Sequence, residues 1–381
     1  MNLNKEKWNT YRFDSFVENI SERVKPTESD STIYVGLEHL DSDKIKITRW
    51  DKPEVVKGVK LKFYKGDIIF GKRRAYQRKA GIAKMDGICS AHSMVLRAKK
   101  ETISDFLIFF IHSNSFMNRA MEISEGSLSP TIKWKTLAKQ EFKLPPKDEQ
   151  KKILCTLLTL EKQIEQTEDQ EKNLLQTKRQ LLRTLFSDKQ KFGSYLTFDN
   201  YQTIYFGEVS QHISKRVDPA LTDLKVYVGL EHLDPDNIMI ERHGTPSEVK
   251  GTKLLVCKDD VIFGKRRAYQ RKVAVSHFEG ICSAHSMVLR AKEDAIKKDF
   301  LPYFMQSDVF MDRAVQISEG SLSPTIKWKV LEKQKFSIPK KEFQEKLTVL
   351  FKNCDKLIYE LKKQTATLKE LKQNLLDEIL G

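Results

Sequence analysis

Apolar residues at Phe13, Phe16, Val17, Ile20 and Val24 are spaced by threes and fours, which predicts a helix over Phe13–Val24. Thr32–Leu37 predicts a strand entering a turn. Leu61–Phe70 alternates toward a strand, with Gly66–Asp67 marking a turn before it. Met94–Leu96 predicts another short strand, and Asp105–Ile111 and Phe116–Met121 predict helices. Pro145–Pro146 end this stretch, because a proline pair continues neither helix nor strand.

The pattern then changes. Ile153, Leu157, Leu160, Ile164, Thr167, Glu171, Leu174, Lys178, Leu181 and Leu185 follow one another in alternating steps of four and three, with no Gly or Pro between them. This is a heptad seam on one long helix, about 60 Å at 1.5 Å per residue. The whole order then recurs. Phe206–Val217, with Val209, Ile213 and Val217, matches the first helical stretch, and Pro339 matches the proline exit. A second seam is predicted at Leu347, Leu350, Cys354, Leu357, Leu361, Gln364, Leu368, Leu371, Leu375 and Glu378. Two such seams are expected to bury each other as an antiparallel coiled coil.

The recurrence is a literal repeat. IFGKRRAYQRK stands at Ile69–Lys79 and again at Ile262–Lys272, an offset of 193. YVGLEHLD (Tyr34, Tyr227) and GICSAHSMVLRAK (Gly87, Gly280) keep that offset, and ISEGSLSPTIKWK (Ile123, Ile317) moves it to 194. So long a period means two domains, each with its own core. The boundaries read as 1–145 and 191–339 for the domains, with 146–190 and 340–381 for the helices. The fold class is α+β.

The formal net charge of +15 over 381 residues points to a polyanionic partner. No apolar run approaches the ~18 residues a membrane span needs, and MNLNKEKWNTYR lacks the apolar core of a signal peptide. Nucleic acid is therefore favoured over a membrane surface. Five scattered cysteines suit free thiols in a reducing cytoplasm.

The repeated cationic stretch is the candidate site. Lys72, Arg73, Arg74, Arg78 and Lys79 offer charge for phosphates and forked donors for guanine edges. Gln77 suits an adenine edge, and Tyr76 a stacked base or a phosphate. Lys265, Arg266, Arg267, Tyr269, Gln270, Arg271 and Lys272 repeat the set, with His92 and His285 as further contacts. Charge runs are often only solvated faces. Here, however, the eleven positions are identical while Lys84–Asp86 and His277–Glu279 have drifted apart.

Other chemistry is weak. GDIIFGK at Gly66–Lys72 is followed by Arg73, not the Ser or Thr of a phosphate loop, and the second copy has Asp259 for Gly66. Cys89 with His92, and Cys282 with His285, fall short of four zinc ligands even with His39 or His232. The Gly-Ser turns holding Ser127, Ser129, Thr131 and Lys133, and Ser321, Ser323, Thr325 and Lys327, suit backbone capping first and phosphate contact second. Trp134 and Trp328 read as core. Asp199–Tyr201 lacks the prolines of an amino-methyltransferase motif, and no carboxylate–lysine set suggests a nuclease. No catalytic residue, metal or cofactor is assigned.

KGDIIFGKR (Lys65–Arg73), ICSAHSMVLR (Ile88–Arg97), EGSLSPTIKWKTLAKQEFKLPPKDEQKKI (Glu125–Ile153) and their second copies resemble the specificity subunits of Type I restriction–modification systems. The second copy departs slightly, with Pro339–Lys340 and Phe343–Gln344 for Pro145–Pro146 and Glu149–Gln150. The resemblance implies two target-recognition domains, each reading one half of a split site in double-stranded DNA. It implies two methyltransferase subunits docked near the helices (Leu157, Leu160, Ile164, Leu174, Leu181, Leu357, Leu361, Leu368, Leu371, Leu375), a motor-nuclease subunit that joins them, and no catalytic activity of its own. The alternative is a stand-alone DNA-binding regulator. Because the two readers are the same, and an antiparallel pair of helices relates them by a two-fold axis, inverted-repeat half-sites are expected.

Overall fold

The computed structural model describes residues 5–187 and 192–381. The boundary drawn at 190/191 from the sequence lies outside them. The chain forms two compact units: the part up to Glu168 together with Lys363–Gly381, and Asp169–Lys362. Each unit therefore holds one repeat, the beginning of one long helix and the end of the other.

In the first unit, Asn9–Arg12 pairs antiparallel with Glu141–Leu144, closing the repeat at the point where the long helix leaves it. A four-stranded antiparallel sheet takes Val17–Ile20, Ser93–Ala98, Ile68–Gly71 and Ala80–Ile82 in that spatial order. A second sheet orders Arg23–Val24, Lys60–Phe63, Gly87–Cys89 and Tyr34–Val35, its last pair parallel. Helices Ser104–His112 and Asn114–Glu122 cover the first sheet; the Ser113 hydroxyl caps the second of them by accepting from Phe116 N at 3.3 Å. The second unit repeats this with Tyr201–Tyr205 on Lys335–Pro339 and two equivalent sheets.

The helix expected over Phe13–Val24 is a single turn, Phe13–Phe16, followed by strands Val17–Ile20 and Arg23–Val24; Phe206–Val217 divides the same way. Spacing alone could not separate these. Val17 and Ile20 are β-branched, and Val17–Ile20 gains a full ladder against Ser93–Ala98.

The two long helices, Lys147–Leu185 and Lys341–Leu380, are part of the unit cores. Ile153, Leu157, Leu376, Ile379 and Leu380 share one cluster with Phe13, Phe110, Phe116 and Phe142; Leu182, Leu185, Leu347 and Phe351 share another with Phe206, Phe304, Phe310 and Phe336. Each fully buried phenylalanine is worth about 1.5–3 kcal/mol of burial, so helix and repeat fold as one body in each unit. Gln150 pins the junction: its side-chain amide donates to Pro145 O at 2.9 Å and Glu101 O at 3.1 Å and accepts from Ile103 N at 3.0 Å. Gln344 does the same with Pro339 O and Lys297 N.

The helices pack antiparallel. In the first unit, Lys372 Nζ lies 2.9 Å from Glu161 and Lys369 Nζ 2.8 Å from Glu168, so one helix descends as the other rises. In the second unit, Lys178 pairs with Asp355. The seam of the first helix follows the expected positions: Ile153, Leu157, Leu160, Ile164, Thr167, Lys178 and Leu185 are buried, Leu174 and Leu181 half-buried. The second seam differs. Phe351, Ile358, Thr365, Lys372 and Ile379 are buried where Leu350, Leu357, Gln364, Leu371 and Glu378 were expected, and Leu357 and Leu371 are each 50% exposed. Leu361, Leu368 and Leu375 are half-buried. Apolar pairs such as Leu350–Phe351 and Leu357–Ile358 fit either phase. The observed phase is the first seam moved by the repeat offset of 194.

Candidate nucleic-acid interface

The cationic stretch is the connection between two sheet strands, Ile68–Gly71 and Ala80–Ile82. Gly71 N donates to Lys79 O at 2.8 Å and closes its base, where a side chain on Gly71 would crowd Leu37 and Lys79. Within it lies one tight turn, Ala75–Gln77, whose Ala75 methyl is buried as an anchor. Arg74 and Arg78 flank the turn with φ of 57° and 53°. Both lie in the left-handed region that costs a side-chain-bearing residue about 1 kcal/mol or more. Arg267 and Arg271 repeat this at 56° and 55°.

A second hairpin straps the loop. Glu125 and Thr131 pair across the Gly-Ser turn, with Gly126 at φ 106° where a side chain would be strained. Arg74 N donates to Pro130 O at 2.7 Å and Ile132 N to Lys72 O at 2.9 Å; Arg73 Nε donates to the Ser129 hydroxyl at 2.6 Å. The second unit has Arg267 N on Pro324 O at 2.8 Å and Arg266 Nε on Ser323 at 2.6 Å. Ser129 and Ser323 therefore orient an arginine.

The side chains divide into two groups. Arg73, Arg74, Tyr76 and His92 are exposed, with Lys72 and Gln77 half-buried beside them; Arg267, Tyr269 and His285 are exposed, with Lys265, Arg266 and Gln270 half-buried. Arg78 and Lys79 turn inward. Arg78 donates to Asn114 and His112 O, both at 2.7 Å, and Lys79 to Leu37 O at 2.7 Å. Arg271 pairs with Asp236 at 2.8 Å and Asp308 at 3.0 Å and also donates to Gln306 O, while Lys272 donates to Leu230 O at 2.6 Å. The inward set holds the loop to the helices behind it.

Among the described residues no carboxylate pairs with Lys72, Arg73, Arg74, Lys265, Arg266 or Arg267, so the outward set concentrates positive charge. Partial desolvation, then Arg73, Lys72 and Lys60, hold His92 below its ordinary value, and His285 is lowered by desolvation and by Arg266, Lys265 and Lys253. Every charged neighbour acting on these rings is a cation. Burial likewise lowers Lys72 and Lys265. Burial pushes the Cys89 and Cys282 thiols up to about 12, so both stay protonated near neutral pH. Asp67, in the stretch that approached a phosphate loop, instead takes a two-pronged contact from Arg97 at 2.7 and 2.9 Å; Asp260 takes one from Arg290. Trp134 and Trp328 pack partly buried against the cores.

The family described as the Type I restriction modification DNA specificity domain matches residues 6–177 and 236–373. The chain belongs to that family. Among specificity-domain relatives, the Type I restriction enzyme EcoDI specificity subunit of Escherichia coli is 29% identical over 179 residues, 45% of this chain and 40% of the relative; the chain thus matches less than half of that relative's length. Two solved structures share the specificity-domain fold. A chain from work on complex assembly and conformational transition of the type I R-M system aligns with a TM-score of 0.59 at 18% identity, over 97% of this chain and 96% of that one. The Type-I restriction-modification system S subunit from M. genitalium aligns with a TM-score of 0.57 at 16% identity, over 100% and 98%. Among the described residues no helix is long and apolar enough to cross a membrane.

Proposed function

We propose that this specificity-family chain is a non-catalytic DNA-recognition subunit that directs methyltransferase and restriction subunits to a split target in duplex DNA. One observation carries the reading: each unit presents the same outward cations, strapped in the same backbone, and among the described residues the charged groups acting on the histidine beside them are all cations. Such a surface releases condensed counterions on binding phosphates, and arginine forks can read guanine edges. Lys72, Arg73, Arg74, Tyr76, Gln77 and His92 make contacts in one half-site, and Lys265, Arg266, Arg267, Tyr269, Gln270 and His285 in the other. Arg78, Lys79, Arg271 and Lys272 shape the loops and add to the positive field. The domains are 1–145 and 191–339, and the helices between and after them carry the methyltransferase subunits. The five unpaired cysteines fit a reducing cytoplasm.

The test is selection of duplexes from a random-sequence pool by the full chain, followed by methyl transfer to them on adding methyltransferase subunits. Enrichment of one split sequence is expected. Arg73→Ala and Arg266→Ala are expected to weaken binding to it comparably, each lowering the salt dependence by about one counterion. No enrichment sinks the proposal; a strongly unequal loss means the two copies have separate roles.

A further inference from the structure

The hairpin that straps each cationic loop ends in a leucine that touches almost nothing. Leu128 is 93% exposed and Leu322 91%. A leucine costs about 1.5–3 kcal/mol to leave in water relative to burial, so its recurrence needs a reason. Leu221 is nearly as exposed, but Glu28 stands at the equivalent position; Phe198 is matched by Lys5 and Val55 by Glu248. Among the described residues, the large apolar side chains more than half exposed in both copies are Leu128 with Leu322 and Tyr76 with Tyr269. In each unit these residues belong to the cationic loop and the hairpin that straps it.

The leucine is also placed. It sits between Gly126 and Ser129, and the Arg73–Ser129 bond and the Arg74–Pro130 bond tie its hairpin to the cations. Lys133 and Glu125 pair at the hairpin base at 2.6 Å. Phosphates drawn to Arg73 and Arg74 would bring the bases between them to the apolar tip. Phosphate contact carries no sequence information, whereas apolar contact with bases does.

We propose that Leu128 and Leu322 are specificity-determining residues, each entering a groove of the duplex and becoming buried against the bases of its half-site. This rests on the DNA-binding reading above. The experiment measures affinities of the full chain for a duplex enriched from the random pool and for a scrambled duplex of the same length and composition. Leu128→Ala and Leu322→Ala are each expected to lose roughly ten-fold on the enriched duplex and nothing on the scrambled one, with the salt dependence unchanged. Leu128→Met, which keeps an apolar tip, is expected to retain most of the affinity, and thermal unfolding should match the wild type for all three. Affinity for the enriched duplex within about two-fold of wild type in both alanine variants overturns the leucine assignment and leaves the DNA reading intact. An equal loss on both duplexes also overturns it. Failure of the wild type to enrich any duplex removes both.

Discussion

His112 and Gln306 occupy equivalent positions behind the two cationic loops, and they show how a single residue departs from the repeat. His112 is buried, its Nε2 3.1 Å from Ala80 O, and burial holds it down at about 4. The backbone bond and Asp43 oppose that shift, while Lys372 and Arg78 add to it. The folded pKa lies below the unfolded one, so the unfolded chain binds the extra proton, and stability is lost as pH falls from about 6.5 toward 4. Between an ordinary histidine and this one the loss is roughly 2–3 kcal/mol at about pH 4.5. His112→Gln, which installs the residue of the second unit, should remove most of that slope. Urea unfolding at about pH 7 and pH 4.5 checks it, and equal slopes in variant and wild type would refute it. The same scale explains why the cationic stretch was only partly legible. Its charge was visible in the sequence, but nothing there separated Arg78 and Lys79, turned to Asn114, His112 O and Leu37 O, from Arg73 and Arg74, which face out.

At the scale of elements, the seam between the helices carries two buried ion pairs that the repeat relates. Lys178 with Asp355 and Lys372 with Glu161 sit at positions matched by the offset of 194. The Lys178 and Lys372 side chains are 3% and 10% exposed. Asp355 also accepts from Tyr303 OH at 2.8 Å, and Lys178 donates to Gln306 at 3.1 Å. Removing one partner strands a buried charge and should cost about 3–5 kcal/mol, while replacing both by apolar groups of similar volume is often neutral or stabilising. Glu161→Ala is thus expected to lower the stability of the full chain strongly, and Glu161→Leu with Lys372→Met to restore it. Thermal unfolding decides; a single variant as stable as the wild type would show that the pair does not set the register. Lys372 is also why the second seam was misplaced from the pattern. Leu371 fits the apolar pattern better, but the facing Glu161 at 2.9 Å and the Asp43 carbonyl at 3.3 Å make a buried Lys372 tenable.

For the whole molecule, each unit is built from the same parts: one repeat, the start of the helix that leaves it, and the end of the other helix. The two units carry the same cationic loop, and the two strands of a duplex present the same sequence in inverted orientation. With identical loops as readers, the split target is expected to have halves of the same sequence in inverted orientation, around a spacer of roughly half a turn to one turn. Mapping modified or bound sites across a genome tests this; two unrelated half-sites would rule it out.

The sequence alone determined what repeats and what periodicity write directly: two equivalent units, a long helix after each, a helix-and-sheet core in each repeat, and one cationic stretch copied without change. These are local or internal properties, readable from spacing and identity. Tertiary structure decided whatever depends on a distant partner. The ladder to Ser93–Ala98 turned Val17–Ile20 from helix to strand, and Glu161 set the phase of the last seam. The carbonyls behind the loop chose which cations face in, and the strapping hairpin carried Leu128 to the same surface as Arg73. Each of those outcomes balances burial or charge pairing across more than thirty residues of chain, a distance over which the pattern of a single segment carries no information.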